Sequence, residues 1–375
     1  MNFNLNTVLS LLVAFQLFFI ALFLFTNGVT KRKSNVLLGI FFLLLAINVC
    51  DILFQINRIS SFFSLFFLLD DAFLLLFGPL IYLYTLSVVY EPFTYTRKHV
   101  WHFVPFAIGV LGLFFLYTLV GSSYQNSLVV VTNAEAPKGA ALIFIVLLYL
   151  HGGIYLWLSK QALKTYDRVV KEQYSNPGRI DLGWAHFMVN SFLIIWVMGM
   201  AQSMVPYIAQ GAYVNITLFF FVAYLFYFIN RVLFRALRDS KMFMGIPYTT
   251  AEKYAKSSLS EDKRKKFAEA LESKMEGEQW YLNPDLTLKD VAQSLGLPSK
   301  ELSQIINQSF DKNFFDFVNS YRIDLAKTLL SDDNSAMTIQ EVMYAVGFSS
   351  KSSFNTIFKR KMKQTPSEFR SASLG

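Results

Sequence analysis

The first 234 residues contain seven runs of mostly apolar residues, and no other feature restricts the fold as strongly. A helix rises about 1.5 Å per residue, so roughly 20 residues are needed to cross the hydrocarbon core of a bilayer. The runs fall near 7–29, 36–56, 63–88, 100–120, 140–160, 185–206 and 213–234. Only 16% of the 375 residues are charged and 54% are hydrophobic, whereas soluble proteins carry about 25% charged residues. The imbalance is confined to these runs, and residues 235–375 have the make-up of a soluble domain. The expected fold is therefore all-α: a polytopic transmembrane bundle of about seven helices, then a soluble helical part.

The distribution of basic residues orients the bundle. The first run has no basic residue before it and is followed by Lys31, Arg32 and Lys33. It is thus expected to be a retained helix with its N-terminus outside, not a cleaved signal. The segments then placed inside carry those three residues, Arg97 and Lys98. They also carry Lys160, Lys164, Arg168, Lys171 and Arg179, and finally Arg231, Arg235 and Arg238. The outer loops carry Arg58 and Lys138. Thirteen basic residues inside against two outside puts the C-terminal domain in the cytoplasm and the bundle in the inner membrane. The net charge of +8 suits lipid headgroups or nucleic acid without choosing between them. Cys50 has no second cysteine to pair with and is read as a packing residue.

Polar residues within apolar spans normally face a partner or a cavity. Asn48, Asp51, Asp70, Asp71, Gln202 and Asn215 all fall toward the outer side. Two readings stand, a ligand pocket open to the exterior and hydrogen bonding between helices. His99 and His102 lie on the inner side, away from those carboxylates, so packing is preferred to metal ligation. Pro79 after Gly78 marks an expected kink. No cofactor is expected.

After the last run, Gly245 and Pro247 indicate a break over 245–257. Ser258 and Glu261 have capping-box spacing, and Phe267, Leu271 and Met275 recur every four residues, which predicts an amphipathic helix over 259–276. The domain boundaries expected are 1–234 for the membrane part, 235–278 for a linker containing this helix, and 279–375 for the soluble domain. The helix itself is open to three roles: part of that domain, a dimer contact or a lever.

From residue 286 a pattern occurs twice. Thr287 and Asp290 start a short helix with apolar residues at 288, 291, 292 and 295. Gly296 and Pro298 break it, and a second helix buries Leu302, Ile305 and Ile306. Lys300, Ser303, Gln304 and Asn307 are expected on its open face. Thr338 opens the second copy, Gly347 makes its turn, and a helix from Ser350 buries Phe354, Ile357 and Phe358. Lys351, Ser352, Asn355 and Thr356 then face outward. Between the copies, Phe317, Val318, Tyr321, Leu325 and Leu329 predict a connecting helix. A short helix, a glycine turn and a second helix with polar residues outward form a helix-turn-helix.

This half resembles the AraC/XylS family of bacterial transcription regulators over about 90 residues. The resemblance is carried by LTLKDVAQSLGL at 286–297, YRIDLAKTLL at 321–330 and VGFSSKSSFNTIFKRKMKQTPSEFR at 346–370. It implies a double helix-turn-helix whose two recognition helices enter successive major-groove segments. By position it makes Lys300, Ser303, Gln304, Lys351, Ser352, Asn355 and Thr356 base-reading candidates. Lys donates to guanine, Asn and Gln pair with adenine, and hydroxyls adapt to either. Asn307, Lys359, Arg360, Lys361 and Lys363 are the phosphate candidates. Glu301 sits where a carboxylate would repel phosphate.

The function expected is a one-component membrane-bound transcription regulator, the membrane part sensing a small-molecule or envelope signal. Double-stranded DNA and the lipid bilayer are the expected partners, with RNA polymerase and a second copy of the chain as further candidates. No phosphate loop, kinase signature or nucleophile elbow is present, so an enzyme is not expected. The alternative is a transporter or membrane enzyme with a DNA-binding tail, which would call for inverted repeats. None is visible.

Overall fold

The computed structural model describes residues 5–26, 33–56, 64–89, 93–120, 139–176, 182–208, 212–238, 260–333 and 337–374. Among them the chain is helical, without a strand; Tyr174 and Thr287 form one isolated antiparallel bridge. The chain divides into two compact units. One holds residues 1–163 and 183–249, the other 164–182 and 250–375.

The apolar unit is built from α1 (Leu5–Thr26), α2 (Lys33–Ile56), α3 (Ser64–Val89), α4 (Val104–Val120), α5 (Gly139–Gln173, up to residue 163), α6 (Leu182–Ile208) and α7 (Ala212–Arg238). Five described stretches are long and apolar enough to cross a membrane: Leu5–Thr26, Lys33–Phe54, Ala72–Val89, Gly183–Val205 and Tyr213–Arg235. The other two expected runs fall in α4, which has 17 residues, and in α5, which has 35 and turns polar beyond Lys160. Phe41, Phe42, Phe192 and Phe228 fill the centre of this unit. On α1 the opposite side leaves Leu5, Leu12, Phe15, Phe19 and Leu22 exposed, a surface that water disfavours and hydrocarbon does not.

Polar contacts tie the helices of this unit at intervals. Asn6 Nδ2 donates to the Asn215 carbonyl at 3.2 Å, and Gln16 meets Asn230 at 3.5 Å. α3 is helical through Pro79. At Gly78 the Tyr155 ring comes within 2.8 Å of where a Cβ would stand, so the glycine is needed for close approach of α5. Tyr155 also meets His102 Nδ1 at 2.9 Å, and His99 Nδ1 accepts the Thr96 amide at 3.0 Å. These histidines therefore serve local packing and capping.

Of the six polar residues read as a pocket, Asp51 is buried, Asn48 and Gln202 are half-buried and Asn215 is exposed. The Asp70 and Asp71 side chains lie outside the described residues. A cavity of about 430 Å³ lies instead between α5 and α6, lined by Tyr149, Trp157, Trp196, Met200 and other apolar residues, and by none of those six.

The second unit contains α8 (Glu261–Gly277), α9 (Leu288–Ser294), α10 (Ser299–Phe310), α11 (Phe314–Ser331), α12 (Ile339–Ala345), α13 (Lys351–Met362) and α14 (Pro366–Leu374). α8 is capped by Ser260, whose side chain accepts from the Lys263 amide; the expected cap Ser258 and the break at 245–257 lie outside the described residues. Leu271 and Met275 of α8 are fully buried among Val291, Leu302, Ile306 and Phe317. Of the three roles open to this helix, the structure gives it that of a domain helix. The unit also takes in residues 164–182, which the sequence reading assigned to an inner loop of the membrane part.

Candidate nucleic-acid interface

Two seven-residue helices, α9 and α12, each precede a twelve-residue helix, α10 and α13. Thr287 and Asp290 cap α9 reciprocally: the Thr287 amide donates to Asp290 at 3.1 Å and the Asp290 amide donates to Thr287 Oγ1 at 3.2 Å. Thr338 and Glu341 repeat the box on α12, at 2.6 and 3.2 Å. Each pair meets amide donors that a helix start leaves open. The bonds to the Thr338 backbone and side chain hold the Glu341 carboxyl below its usual range.

The turns require glycine for different reasons. Gly296 and Gly347 both adopt positive φ, +66° and +87°. A Cβ at Gly296 would meet nothing within 4 Å, whereas one at Gly347 would stand 2.7 Å from the Tyr281 and Leu282 carbonyl oxygens. The second turn is thus pressed against the backbone that leads into the first helix-turn-helix.

α11 joins the copies by burying two faces at once. Phe314, Phe317 and Val318 enter the first core with Leu302 and Ile306. Phe315, Ile323, Ala326 and Leu330 enter the second with Phe354 and Phe358. Burying large side chains on both faces gives α11 little freedom to rotate against either core.

Helical rotation of about 100° per residue places Lys351, Ser352, Asn355, Thr356 and Lys359 on one side of α13. All are exposed except Asn355, which is half-buried. On α10, Lys300 and Gln304 are half-buried and Asn307 is exposed.

Three expected contacts depart from the sequence reading. Ser303 is only 8% exposed. It lies about 60° around the helix from Ile306, and Asn307 folds back over it, donating to the Ser303 carbonyl at 2.9 Å. Arg360 pairs with Asp316 at the surface, at 2.6 Å, and lies over the Phe315 ring. Lys361 bonds Asp324 at 3.1 Å and the Ser320 carbonyl at 3.0 Å. These two cations fasten α13 to α11. Lys359 and Lys363 stay exposed, and Lys363 adopts φ +62° as it ends the helix.

Sequence reasoning missed Arg322, the largest fully buried side chain among the described residues. Its Nε donates to the Tyr281 carbonyl at 2.6 Å, and Nη2 to the Asn283 carbonyl at 2.7 Å. Its guanidinium also lies 5.5 Å from the Phe348 ring centre. Burial pushes its pKa down to about 10, so it keeps its charge at neutral pH. An arginine among the inward-facing residues of α11 was the available signal.

Residues 282–372 match the family model described as a helix-turn-helix domain, and the C-terminal part of the chain is a helix-turn-helix domain of the AraC type. Over 90 residues, 24% of the chain, it is 32% identical to an uncharacterised HTH-type transcriptional regulator of Staphylococcus aureus (strain COL). The chain spans only 12% of that relative's length. It is 29% identical over 97 residues to the transcriptional activator RhrA of Rhizobium meliloti, covering 26% of this chain and 31% of RhrA. The C-terminal domain of the two-component response regulator yesN from Fusobacterium nucleatum is 28% identical, with a TM-score of 0.26, covering 28% of this chain and 98% of that one.

Proposed function

We propose that the chain is a membrane-bound transcription regulator that binds double-stranded DNA through α10 and α13. The observation that carries this is the repeated helix-turn-helix, with both second helices turning polar side chains outward while α11 is locked into both cores. Such a pair suits two successive major-groove segments. Lys300, Gln304, Lys351, Ser352, Asn355 and Thr356 read bases, and Lys359 and Lys363 hold phosphates. Ser303, Asn307, Arg360 and Lys361 are left out of that set because each is engaged within the domain.

Residues 1–234 form seven spans in this reading, with the N-terminus outside and the DNA-binding domain in the cytoplasm. Ile143, Leu147, Leu150, Ile154 and Trp157 are exposed along one face of α5, and Ile108, Leu111 and Phe115 along α4. Lipid-facing helices carry such stripes, which supports counting both among the spans. The membrane part receives the signal, and the C-terminal domain converts it into occupancy of target sites, with RNA polymerase or a second copy of the chain as further partners.

Genome-wide occupancy of the full chain, compared with a Lys351→Ala/Asn355→Ala variant, tests the reading. Discrete sites that vanish in the variant are expected. A membrane-inserted wild-type chain that occupies no discrete sites under any growth condition refutes it.

A further inference from the structure

Residues 174–176 are separated from the DNA-binding domain by more than a hundred positions, yet they are built into its centre. Ser175 is 1% exposed and Asn176 8%. Tyr174 bridges to Thr287, the cap of the first helix-turn-helix. The Ser175 amide and hydroxyl both donate to the Leu286 carbonyl, at 3.3 and 2.7 Å. Its carbonyl accepts Asn319 Nδ2 at 3.0 Å and Arg322 Nη1 at 3.4 Å, and its Oγ accepts Arg322 Nη2 at 3.2 Å. Asn176 Nδ2 then donates to Ser349, in the turn of the second helix-turn-helix.

Three consecutive residues therefore touch the lead-in to the first copy, the connecting helix and the turn of the second copy. Arg322 joins the same parts from the other side, and two of its five N–H groups end on Ser175. The family match begins at residue 282 and does not include this segment. In the chain the segment 164–182 is flanked on both sides by parts of the apolar unit. A domain joined to a membrane part only at its N-terminus can be reached only through that one connection. This domain also holds, by buried hydrogen bonds, a piece of chain whose two ends continue into α5 and α6.

We infer that residues 174–176 are a coupling strap: through Ser175 and Asn176 the membrane part sets the relative placement of the two helix-turn-helix units, and so the affinity for DNA sites that need both. The inference rests on the DNA-binding reading above. Release of the strap takes acceptors from Arg322 and removes the bond to the second turn, so the placement of the two recognition helices is left to α11 alone. Control by a signal then requires no phosphorylation and no second protein, only a change in the spacing or rotation of α5 and α6 that pulls on the strap.

The test uses the full chain in lipid nanodiscs, with two readouts. Hydrogen exchange without DNA follows the peptide containing 174–176; amides held as the structure shows exchange as slowly as those of α11, and a Ser175→Ala/Asn176→Ala variant speeds both that peptide and the one containing 281–286. Affinity is then measured on genomic fragments selected by the wild-type chain, and the variant is expected to bind them about tenfold more weakly while α10 and α13 keep their protection. Full exchange of 174–176 within seconds in the wild type overturns the strap, as does variant affinity within twofold of wild type. A wild-type chain that selects no fragments overturns the DNA-binding reading, and with it the strap's role, while slow exchange at 174–176 still reports the docking; the two failures are thereby told apart.

Discussion

Replacing Arg322 with Met keeps much of the side-chain volume and removes every donor, so it isolates the hydrogen-bonding role of the buried cation. Tyr281 O and Asn319 Oδ1 each lose a bond from the guanidinium. The Asn283 carbonyl retains the Leu286 amide at 3.3 Å, and the Ser175 carbonyl retains Asn319. Of the acceptors that lose Arg322, Tyr281 O and Asn319 Oδ1 are thus left unmet, and each costs about 1–3 kcal/mol in that state. Taking about 2 kcal/mol apiece, the C-terminal domain should lose about 4 kcal/mol, within the range of about 3–5 seen when one side of a buried ionic network is removed. With a urea dependence of about 2 kcal/mol per molar, its unfolding midpoint should fall by about 2 M. Pulse proteolysis of the full chain in vesicles, following the C-terminal fragment across a urea series, measures that midpoint. Arg322→Lys should recover part of the loss, since its three donors radiate from one atom and cannot span the carbonyls as the planar fork does. A shift below about 0.5 M for Arg322→Met would show that the network is worth little, and the reasoning that makes Arg322 the junction of the domain would fail.

Gly347→Ala and Gly296→Ala should separate strain from collision: the second incurs only the positive φ, about 1–2 kcal/mol, while the first adds contact with two carbonyls at 2.7 Å and should lower the same urea midpoint by at least twice as much. Lys359→Ala should reduce the slope of log affinity against log salt by about 0.9, whereas Lys361→Ala should leave the slope unchanged because that ammonium is held by Asp324 and Ser320; equal slopes for the two variants would reverse their assignment. The Glu341 carboxyl is lowered from 4.5 by its bonds to Thr338, so the contribution of its cap is complete above that value and is lost as pH falls through the lower, folded one. Amide exchange at the start of α12, corrected for intrinsic rates, should therefore accelerate only below about pH 4.5; acceleration near pH 6 would point to some other group.

The features legible in the sequence were those set by local chemistry. Apolar runs of spanning length need only counting, and the helix-turn-helix could be placed because its caps at Thr287 and Thr338 and its glycines at 296 and 347 act within a few residues of themselves. The inward faces of α10 and α13 follow from helical periodicity, so Leu302, Ile306, Phe354 and Phe358 were found without coordinates. What the sequence left unassigned depended on partners distant in the chain. Whether an exposed cation near the end of α13 meets an acid of α11 is decided by how that helix lies beside it; Arg360 pairs with Asp316, while Lys359, one residue earlier, is exposed. Ser303 sits at the margin of an apolar stripe, where periodicity is ambiguous and packing settles burial. Helix α8 has the same amphipathic pattern in every role it was offered, and only its burial against Val291 and Leu302 chose one. Tyr174, Ser175 and Asn176 carry no periodic or motif signal at all; their place is fixed by hydrogen bonds to residues as many as 173 positions away. Local propensity and patterning thus determined which segments are helices and which faces are apolar, while the tertiary structure alone decided which polar groups are consumed inside the protein and which remain to meet another molecule.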